Sequence, residues 1–307
     1  MDLDPKHLAV LRQIAESGSF TRAAATLSIS QPALSNSIAQ MERLLGVKVL
    51  ERGRHGARLT EFGHALVRHA RALDAHLKAA AEEVRLQKLG AEGPLVVGVT
   101  PVTAADIAPR AVGLLKRETP RLSIAILQGL EEDHMAMLDA GQIDLIVGPV
   151  GVYPASSKVI EEPLFLNPLS VIVRARHALA QRKSLALKDL RGADWALPSE
   201  RSAFRHQLEA LFLMAGVQWP TVCVTTNSMV ALKTVVMHSD AVTIMPEQLV
   251  ALERDAGRLR CIRLRESGEP RAIGFKWRRD RELSPLALRF VAAVRAVAQP
   301  TARRAAR

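Results

Sequence analysis

The sequence predicts an α+β protein in which a helical N-terminal region precedes a longer α/β region. Residues 1–89 carry helical periodicity almost throughout, apart from a stretch at 48–59. Gly and Pro cluster at 90–94, which is typical of a hinge because both residues end helices. From Leu95 onward, short β-branched runs alternate with helical patterns, as a parallel α/β architecture requires.

Composition and charge limit the classes of protein to which the chain can belong. At 307 residues, 48% of them hydrophobic, it can build more than one buried core. We expect a cytoplasmic protein that does not bind membranes, because the sequence has neither an apolar run of about 18 residues nor an N-terminal export signal. Its two cysteines, Cys223 and Cys261, lack a metal-ligand spacing. A net charge of +11 predicts an anionic partner.

Three helices are predicted in the first 45 residues. The first buries Leu8, Leu11, Ile14 and Ala15 on one face and ends at Gly18. The second begins at a cap formed by Ser19 or Thr21. The third spans about 31–45, with Ser30 as its N-cap and Pro32 in its first turn. The residues of the third helix that we expect in the core recur at helical spacing: Leu34, Ile38, Met41 and Leu45.

The third helix leaves a polar stripe on its outer face, formed by Gln31, Ser35, Asn36 and Gln40. Short hydroxyl and amide side chains are suited to hydrogen bonding with base edges in the DNA major groove. A merely solvated face more often carries Lys and Glu. The alternative is an ordinary three-helix domain.

A basic hairpin is predicted to follow the third helix, between residues 47 and 60. Its two short strands flank a glycine-bearing turn with Arg52, Arg54 and His55 at the tip. Beside a helix that reads DNA, such a hairpin is a wing that contacts phosphates or enters the minor groove. A lone basic hairpin would instead be a solvated loop.

A long helix is predicted from Thr60 to about Leu89. Its apolar residues recur at alternating steps of four and three, which predicts a narrow seam about 43 Å long and indicates pairing with a second copy of the chain. The seam consists of Leu66, Ala70, Leu73, Leu77, Ala80 and Val84, of which we assign Leu66, Leu73, Leu77 and Val84 to dimerisation. The alternative is packing against its own domain.

Residues 8–63 resemble the DNA-binding region of LysR-type transcriptional regulators. The matching residues are Gly18-Ser19-Phe20-Thr21-Arg22-Ala23-Ala24, Ser30-Gln31-Pro32-Ala33-Leu34-Ser35, Ile38, Glu42, Leu45-Gly46, Leu50-Glu51-Arg52 and Leu59-Thr60-Glu61-Phe62-Gly63. The resemblance implies a winged helix-turn-helix, with the helix at 31–45 in the major groove and dimers that read inverted repeats. The DNA-binding residues that we expect are Thr21, Arg22, Ser30, Gln31, Pro32, Ser35, Asn36, Gln40, Arg52 and Arg54.

The rest of the chain carries a series of landmarks: Gly98-Val99-Thr100, Pro109, Pro120, Gly141-Gln142-Ile143-Asp144-Leu145, Leu197-Pro198, Val242 to Pro246 and Leu283-Ser284-Pro285. In this order they resemble the effector domain of that family, which implies a two-lobed periplasmic-binding-protein-like α/β architecture. Strands are predicted at 95–100, 122–128, 143–148, 169–174, 195–197, 221–225, 241–245, 259–264 and 272–277. The domains that we expect are a winged helix-turn-helix at 1–63, a linker helix and hinge at 64–93, and an effector domain at 94–307. In that domain, lobe one would comprise 94–162 and 268–300, and lobe two 163–267.

A ligand site is expected where strands end and helices begin, since free backbone N–H groups there favour anions. We expect a small carboxylate, aromatic acid or sugar acid as effector. The candidate effector-binding residues are Thr100, Pro101, Thr103, Gln128, Ser202, Phe204, Arg205 and Asn227. The alternative, which is equally open, is that these residues are helix caps and surface charges.

The sequence predicts a regulator that binds ligands rather than an enzyme. Its nine histidines are scattered, and it has no phosphate-binding loop, dinucleotide fingerprint or zinc spacing, so we expect neither metal nor cofactor. The expected partners are double-stranded promoter DNA, a small effector and, from the resemblance, further copies in a dimer of dimers and RNA polymerase. The alternatives are an effector-independent DNA-binding protein of the same fold, a solute-binding protein and an α/β enzyme.

Overall fold

The computed structural model describes residues 3–53, 56–151, 157–200, 203–267 and 270–305. The chain divides into two units, Met1–Pro94 with Met135–Ile143, and Leu95–His134 with Asp144–Arg307. Among the helices of the described residues, none is both long and apolar enough to span a lipid bilayer.

Three helices build the N-terminal core: α1 (Pro5–Ser17), α2 (Phe20–Leu27) and α3 (Gln31–Leu45). Each starts after a side chain that accepts a hydrogen bond from the first turn, namely Asp4, Ser19 and Ser30. The turn between α2 and α3 is short because Ser28 adopts a left-handed conformation with φ of 54°. Leu34, Ile38 and Met41 are buried, which confirms the predicted inner face of α3.

The predicted hairpin is present as β1 (Leu50–Gly53) and β2 (Gly56–Leu59), which pair antiparallel. It is followed by α4 (Glu61–Lys88), whose N-cap is Thr60.

The seam of α4 has two different environments. Leu66 packs against the N-terminal core and Ala70 is buried, so this part of the helix packs within its own unit, as the alternative interpretation proposed. Farther along, Leu77 is 62% exposed and Val84 is 53% exposed. Leu73 between them is half-buried. The exposed part of the seam is therefore the part that is available for pairing.

The first part of the α/β region runs from β3 to β6. Its elements are β3 (Glu92–Val99), α5 (Pro101–Ala104), α6 (Ile107–Glu118), β4 (Leu122–Gln128), α7 (Glu131–Asp139), β5 (Leu145–Pro149) and β6 (Val159–Asn167). The chain then builds lobe two with β7 (Leu169–Arg174), β8 (Ser184–Leu185), β9 (Trp195–Pro198), α8 (Ala203–Met214), β10 (Val222–Thr226), α9 (Met229–His238), β11 (Thr243–Pro246), α10 (Ala251–Asp255) and β12 (Leu259–Leu264). It returns to lobe one with β13 (Arg271–Arg278) and α11 (Pro285–Ala305).

The sheet of lobe one is mixed rather than parallel. Its strand order is β4-β3-β5-β13-β6. β3 and β5 are parallel, whereas β13 runs antiparallel to both β5 and β6. The chain builds lobe two and then returns to the sheet of lobe one with β13, which lies between β5 and β6. This return produces the two-lobed architecture. Each lobe has its own apolar core, with Phe275 and Phe290 in lobe one and Trp195 and Phe212 in lobe two.

The predicted end of lobe one at 162 is wrong, because β6 keeps the chain in its sheet as far as Asn167. This strand was not predicted, since Pro163 and two adjacent glutamates interrupt its apolar pattern. β6 tolerates the proline because it is the edge strand and because its register shifts at this point, opposite Ile273 and Gly274.

Lobe two contains a four-stranded sheet in the order β11-β7-β12-β8 and a parallel pair of β9 and β10. Among the described residues, a bridge between Trp195 and Val242 connects the two. β8 was also not predicted, because a strand of two residues has no periodicity to detect.

Candidate functional site

The outer face of α3 carries the predicted polar stripe. Gln31, Pro32, Asn36 and Gln40 are exposed, and Ser35 is half-buried. The opposite face is fixed by Leu34, Ile38 and Met41 in the core. Because the buried face prevents rotation of the helix, this row of amide and hydroxyl groups presents one defined pattern to solvent.

The starts of α2 and α3 add further polar groups. Thr21 and Arg22 are exposed in the first turn of α2, where the Arg22 N–H donates to Ser19 Oγ at 3.4 Å. At the start of α3, the Ala33 N–H donates to Ser30 Oγ at 3.3 Å. The N-terminus of a helix attracts phosphate through its dipole and its unpaired N–H groups.

Glu42 connects the base of the hairpin to α3. Its carboxylate accepts hydrogen bonds from the Val49 N–H at 2.9 Å, the Leu50 N–H at 3.3 Å and Lys48 Nζ at 2.6 Å. Partial burial raises the pKa of this carboxyl, but the three hydrogen bonds outweigh burial and hold the pKa below its ordinary value. In the sequence, Glu42 was only one of the residues that match the family, and its contacts with the base of the hairpin were not predicted.

Thr60 and Gly63 fix the other side of the hairpin base. Thr60 Oγ1 donates to the main-chain oxygen of Lys48 at 2.7 Å and accepts from the Gly63 N–H at 3.1 Å. A side chain at Gly63 would collide with the main-chain oxygen of Val49. The base of the hairpin is therefore rigid. The predicted tip residues Arg54 and His55 and the side chain of Arg52 lie outside the described residues.

In lobe one, Thr100 and Thr103 lie beside the end of β5. Both are buried. Thr103 Oγ1 donates to the main-chain oxygen of Val147 at 2.6 Å, so this hydroxyl is used within the protein. Thr100 Oγ1 is buried without a hydrogen-bond partner among the described residues. It lies against Gly148, where an added Cβ would be 3.0 Å from Thr100 Cγ2.

Gly129 and His134 lie beside the end of β3 in lobe one. The Gly129 N–H donates to the main-chain oxygen of Val99 at 3.2 Å, and the buried His134 ring lies beneath the glycine. Burial lowers the pKa of His134, against the opposing effects of the Leu127 main chain and the carboxylates of Asp133 and Glu131. The imidazole is therefore neutral at neutral pH.

The structure does not place Arg205 as we expected. Its guanidinium donates to Glu209 Oε1 at 2.8 Å and to the main-chain oxygen of Pro198 at 3.3 Å, and it lies 4.4 Å from the centroid of the Trp219 ring. Only 6% of its side chain is exposed. Arg205 is thus a packed residue of lobe two rather than a free cation, and it is removed from the candidate set.

The remaining candidates for the effector site have different environments. Phe204 is half-buried and contacts both apolar clusters of lobe two. Asn227 is exposed before α9, and no hydrogen bond among the described residues joins it to lobe one. Ser202 lies outside the described residues. In lobe one, Gln128 is exposed and Pro101 is half-buried.

A buried hydrogen bond connects the two lobes. Gln248 Nε2, in lobe two, donates to Asp106 Oδ2, in lobe one, at 2.8 Å, and both residues are buried. The same carboxylate oxygen accepts from Arg110 at 3.2 Å. Sequence reasoning missed this pair because the two residues are far apart in the chain and neither belongs to a motif.

The Cys261 thiol is not reactive, and the described side chains form no metal site. Burial, together with the nearby Glu247 carboxylate, raises the pKa of the Cys261 thiol to about 12, so the thiol stays protonated at neutral pH. Among the described residues, no group of three or more His, Cys, Asp or Glu side chains is placed to hold a metal ion.

Two family models match the chain. The model described as "LysR substrate binding domain" matches residues 88–299. The model described as "Bacterial regulatory helix-turn-helix protein, lysR family" matches residues 5–64. Together they cover both the three-helix region with its hairpin and the two-lobed region.

Individual proteins are similar over nearly the whole chain. The chain is 28% identical to the "HTH-type transcriptional regulator GbpR" of Azospirillum brasilense, over 98% of this chain and 88% of that protein. The solved structure of CbnR, described as a LysR family transcriptional regulator, has a TM-score of 0.65 at 22% identity and covers 96% of this chain and 99% of that one. Full-length CbnR complexed with its target DNA has a TM-score of 0.53 at 23% identity, with coverages of 96% and 100%.

Proposed function

Because the chain belongs to the LysR family of bacterial transcriptional regulators, which are not enzymes, we propose that it binds one specific promoter duplex through α3 and that a small effector acid changes this binding. The observation that carries the DNA proposal is the exposed polar stripe of α3 above a fully buried apolar face. A regulator of this kind acts in the cytoplasm.

In the proposed complex, α3 lies in the major groove. Gln31 and Gln40 offer the amide pattern that pairs with adenine, and Ser35 and Asn36 lie between them along the helix. Pro32 contacts the bases together with Gln31 and Ser35. Ser30, Thr21 and Arg22 lie where the helix starts meet the phosphate backbone. Arg52 and Arg54 of the wing add phosphate or minor-groove contacts. A solved structure of CbnR, which has a similar fold, contains its target DNA, and this supports the proposal that the chain binds DNA.

The proposed effector is a small carboxylate, an aromatic acid or a sugar acid that binds between the lobes. Thr100 supports this proposal, because its buried hydroxyl has no partner among the described residues and can donate to a ligand oxygen. Thr103, already bonded to Val147, positions the segment that begins with Thr100 and Pro101. Gln128 and Asn227 supply neutral amides, Ser202 a hydroxyl, and Phe204 an apolar surface. The acid is therefore held by neutral donors rather than by Arg205.

The proposed assembly is a dimer of dimers. The exposed seam residues Leu77 and Val84 support pairing of α4 with α4 of a second copy. Effector binding shifts the population of lobe arrangements, which alters the spacing of the DNA-binding units and the bend of the promoter. RNA polymerase is a further proposed partner of the DNA-bound tetramer.

Nuclease footprinting with purified full-length protein tests the proposal. We expect protection of one promoter region and a change in its extent when an acid from a panel of aromatic, aliphatic and sugar acids is added. A footprint that no acid changes would favour an effector-independent DNA-binding protein. Neutral sugars are the control ligands. A footprint that changes only with neutral sugars would contradict the proposal that the effector is an acid.

A further inference from the structure

Most of the excess positive charge of the chain lies in two segments of lobe two. Residues 174–191 and 258–266 together hold ten Arg and Lys side chains but only two carboxylates, Asp189 and Glu266. The net charge of the whole chain is +11, so these two short segments, at +8, supply most of it. The DNA-binding region does not account for this excess.

The sheet of lobe two brings the two segments together. β12, in the second segment, pairs with β7, where Leu259 is opposite Arg174, and with the edge strand β8, where Arg263 is opposite Ser184. The Arg265 N–H also donates to the main-chain oxygen of Leu185 at 2.9 Å. The two segments therefore form one side of lobe two, which we call the basic edge.

Most cations of the basic edge are exposed and lack a counter-charge. Arg174 pairs with Asp240 at 2.6 Å, and Arg265 pairs with Asp189 at 3.3 Å. The other eight are exposed, and none has an ion pair with a described residue: Arg176, Arg182, Lys183, Lys188, Arg191, Arg258, Arg260 and Arg263. Clustering eight like charges with only two carboxylates in the same segments raises their mutual repulsion, which an anionic partner would relieve.

The chemistry of the basic edge favours a phosphate backbone over a protein or a membrane. Both segments are fully described, and neither exposes a large hydrophobic side chain. Protein interfaces depend on buried apolar and aromatic anchors, and membrane-surface segments insert apolar side chains. Phosphate contacts need only cations, and Arg, which forms two parallel hydrogen bonds to phosphate, supplies six of the eight. We propose that the basic edge of lobe two is a second, sequence-independent DNA contact that binds duplex outside the operator.

This inference rests on the proposed DNA-binding function and adds a second surface to it. Its test compares a duplex that holds only the operator with the same operator extended at both ends by unrelated sequence. The variants are Arg182→Gln with Lys183→Gln, and Arg260→Gln with Arg263→Gln. The matched control is Lys116→Gln with Arg117→Gln, an exposed Lys-Arg pair on α6 of lobe one. Thermal melting checks that each protein is folded.

Affinity is measured against salt concentration for both duplexes. On the extended duplex, each basic-edge variant should lower the slope of log K against log salt by about 0.9 for every phosphate that it no longer neutralises, while the operator-only duplex and the control keep their slopes. An unchanged slope in the variants, or an equal fall in the control, overturns the basic edge as a DNA site. Absence of any preference of the wild type for the operator refutes the proposed function instead, and the slopes on the extended duplex still decide the role of the basic edge.

Discussion

Glu42 is a residue whose charge should matter for stability. Its carboxylate accepts three hydrogen bonds at the base of the hairpin, and its pKa lies below its ordinary value. A lowered pKa in the folded state means that this stabilisation is present above the ordinary carboxyl pKa and is lost as pH falls through the lowered one. Glu42→Gln should therefore lower the free energy of unfolding by about 1–3 kcal/mol at neutral pH and by progressively less in acid.

Denaturant unfolding of both proteins at a series of pH values checks this expectation. Glu16→Gln is the control, because Glu16 forms an exposed pair with Arg12 within one helix, and such a pair contributes about 0.5 kcal/mol or less. A difference between wild type and Glu42→Gln that stays constant from neutral pH into acid would contradict the role of the charge.

Thr100 and Thr103 form a matched pair for testing the effector site. Thr100→Val removes a buried hydroxyl that has no partner among the described residues, so melting temperature should stay level or rise while affinity for the effector falls about tenfold. Thr103→Val removes the bond to Val147 and should destabilise the protein by about 1 kcal/mol. Calorimetry and thermal melting measure both effects. A marked fall in the melting temperature of Thr100→Val would show that its hydroxyl is structural.

At the residue scale, the sequence predicted which side chains are polar but not where they are directed. The core face of α3 follows from spacing, and Leu34, Ile38 and Met41 are all buried. Arg205 was assigned to the effector because it lies near a helix start, whereas it packs on Trp219, which follows α8. No local pattern encodes that tertiary contact.

The seam of α4 is an element whose role can be tested directly. Leu77→Gln with Val84→Gln should weaken dimerisation at least about 100-fold, because each chain loses the burial of two apolar side chains worth about 1.5–3 kcal/mol apiece. Arg68→Gln is the control, since at 100° per residue it lies on the opposite face of the helix. Sedimentation equilibrium measures the dissociation constants. Equal constants for all three proteins would show that α4 does not form the dimer.

At the element scale, long and regular segments were predictable and short or interrupted ones were not. The strands at 122–128, 169–174 and 259–264 have the bounds predicted from sequence. β6 was not predicted because Pro163 lies within it. Its position at the edge of the sheet and its shifted register explain why the strand tolerates the proline. The return of the chain to lobe one was predicted from the resemblance, but the alternation of strands and helices does not reveal that the returning strand, β13, runs antiparallel to β5 and β6.

For the whole molecule, the central claim is that α3 reads base pairs while separate cations bind the phosphate backbone. These two roles predict different behaviour in mutants. Loss of a base contact should reduce discrimination at one position of the operator. Loss of a phosphate contact should weaken binding to every sequence equally.

The most direct measurement is the affinity of the full chain for its operator and for single-base variants of the operator, across a range of salt concentrations. Gln31→Ala should reduce discrimination at one base pair by about 1–3 kcal/mol and keep the salt slope. Arg52→Ala should weaken binding to all sequences alike and lower the slope by about one. A wild-type chain that binds every duplex equally, or a Gln31→Ala protein that loses affinity uniformly, would contradict the account.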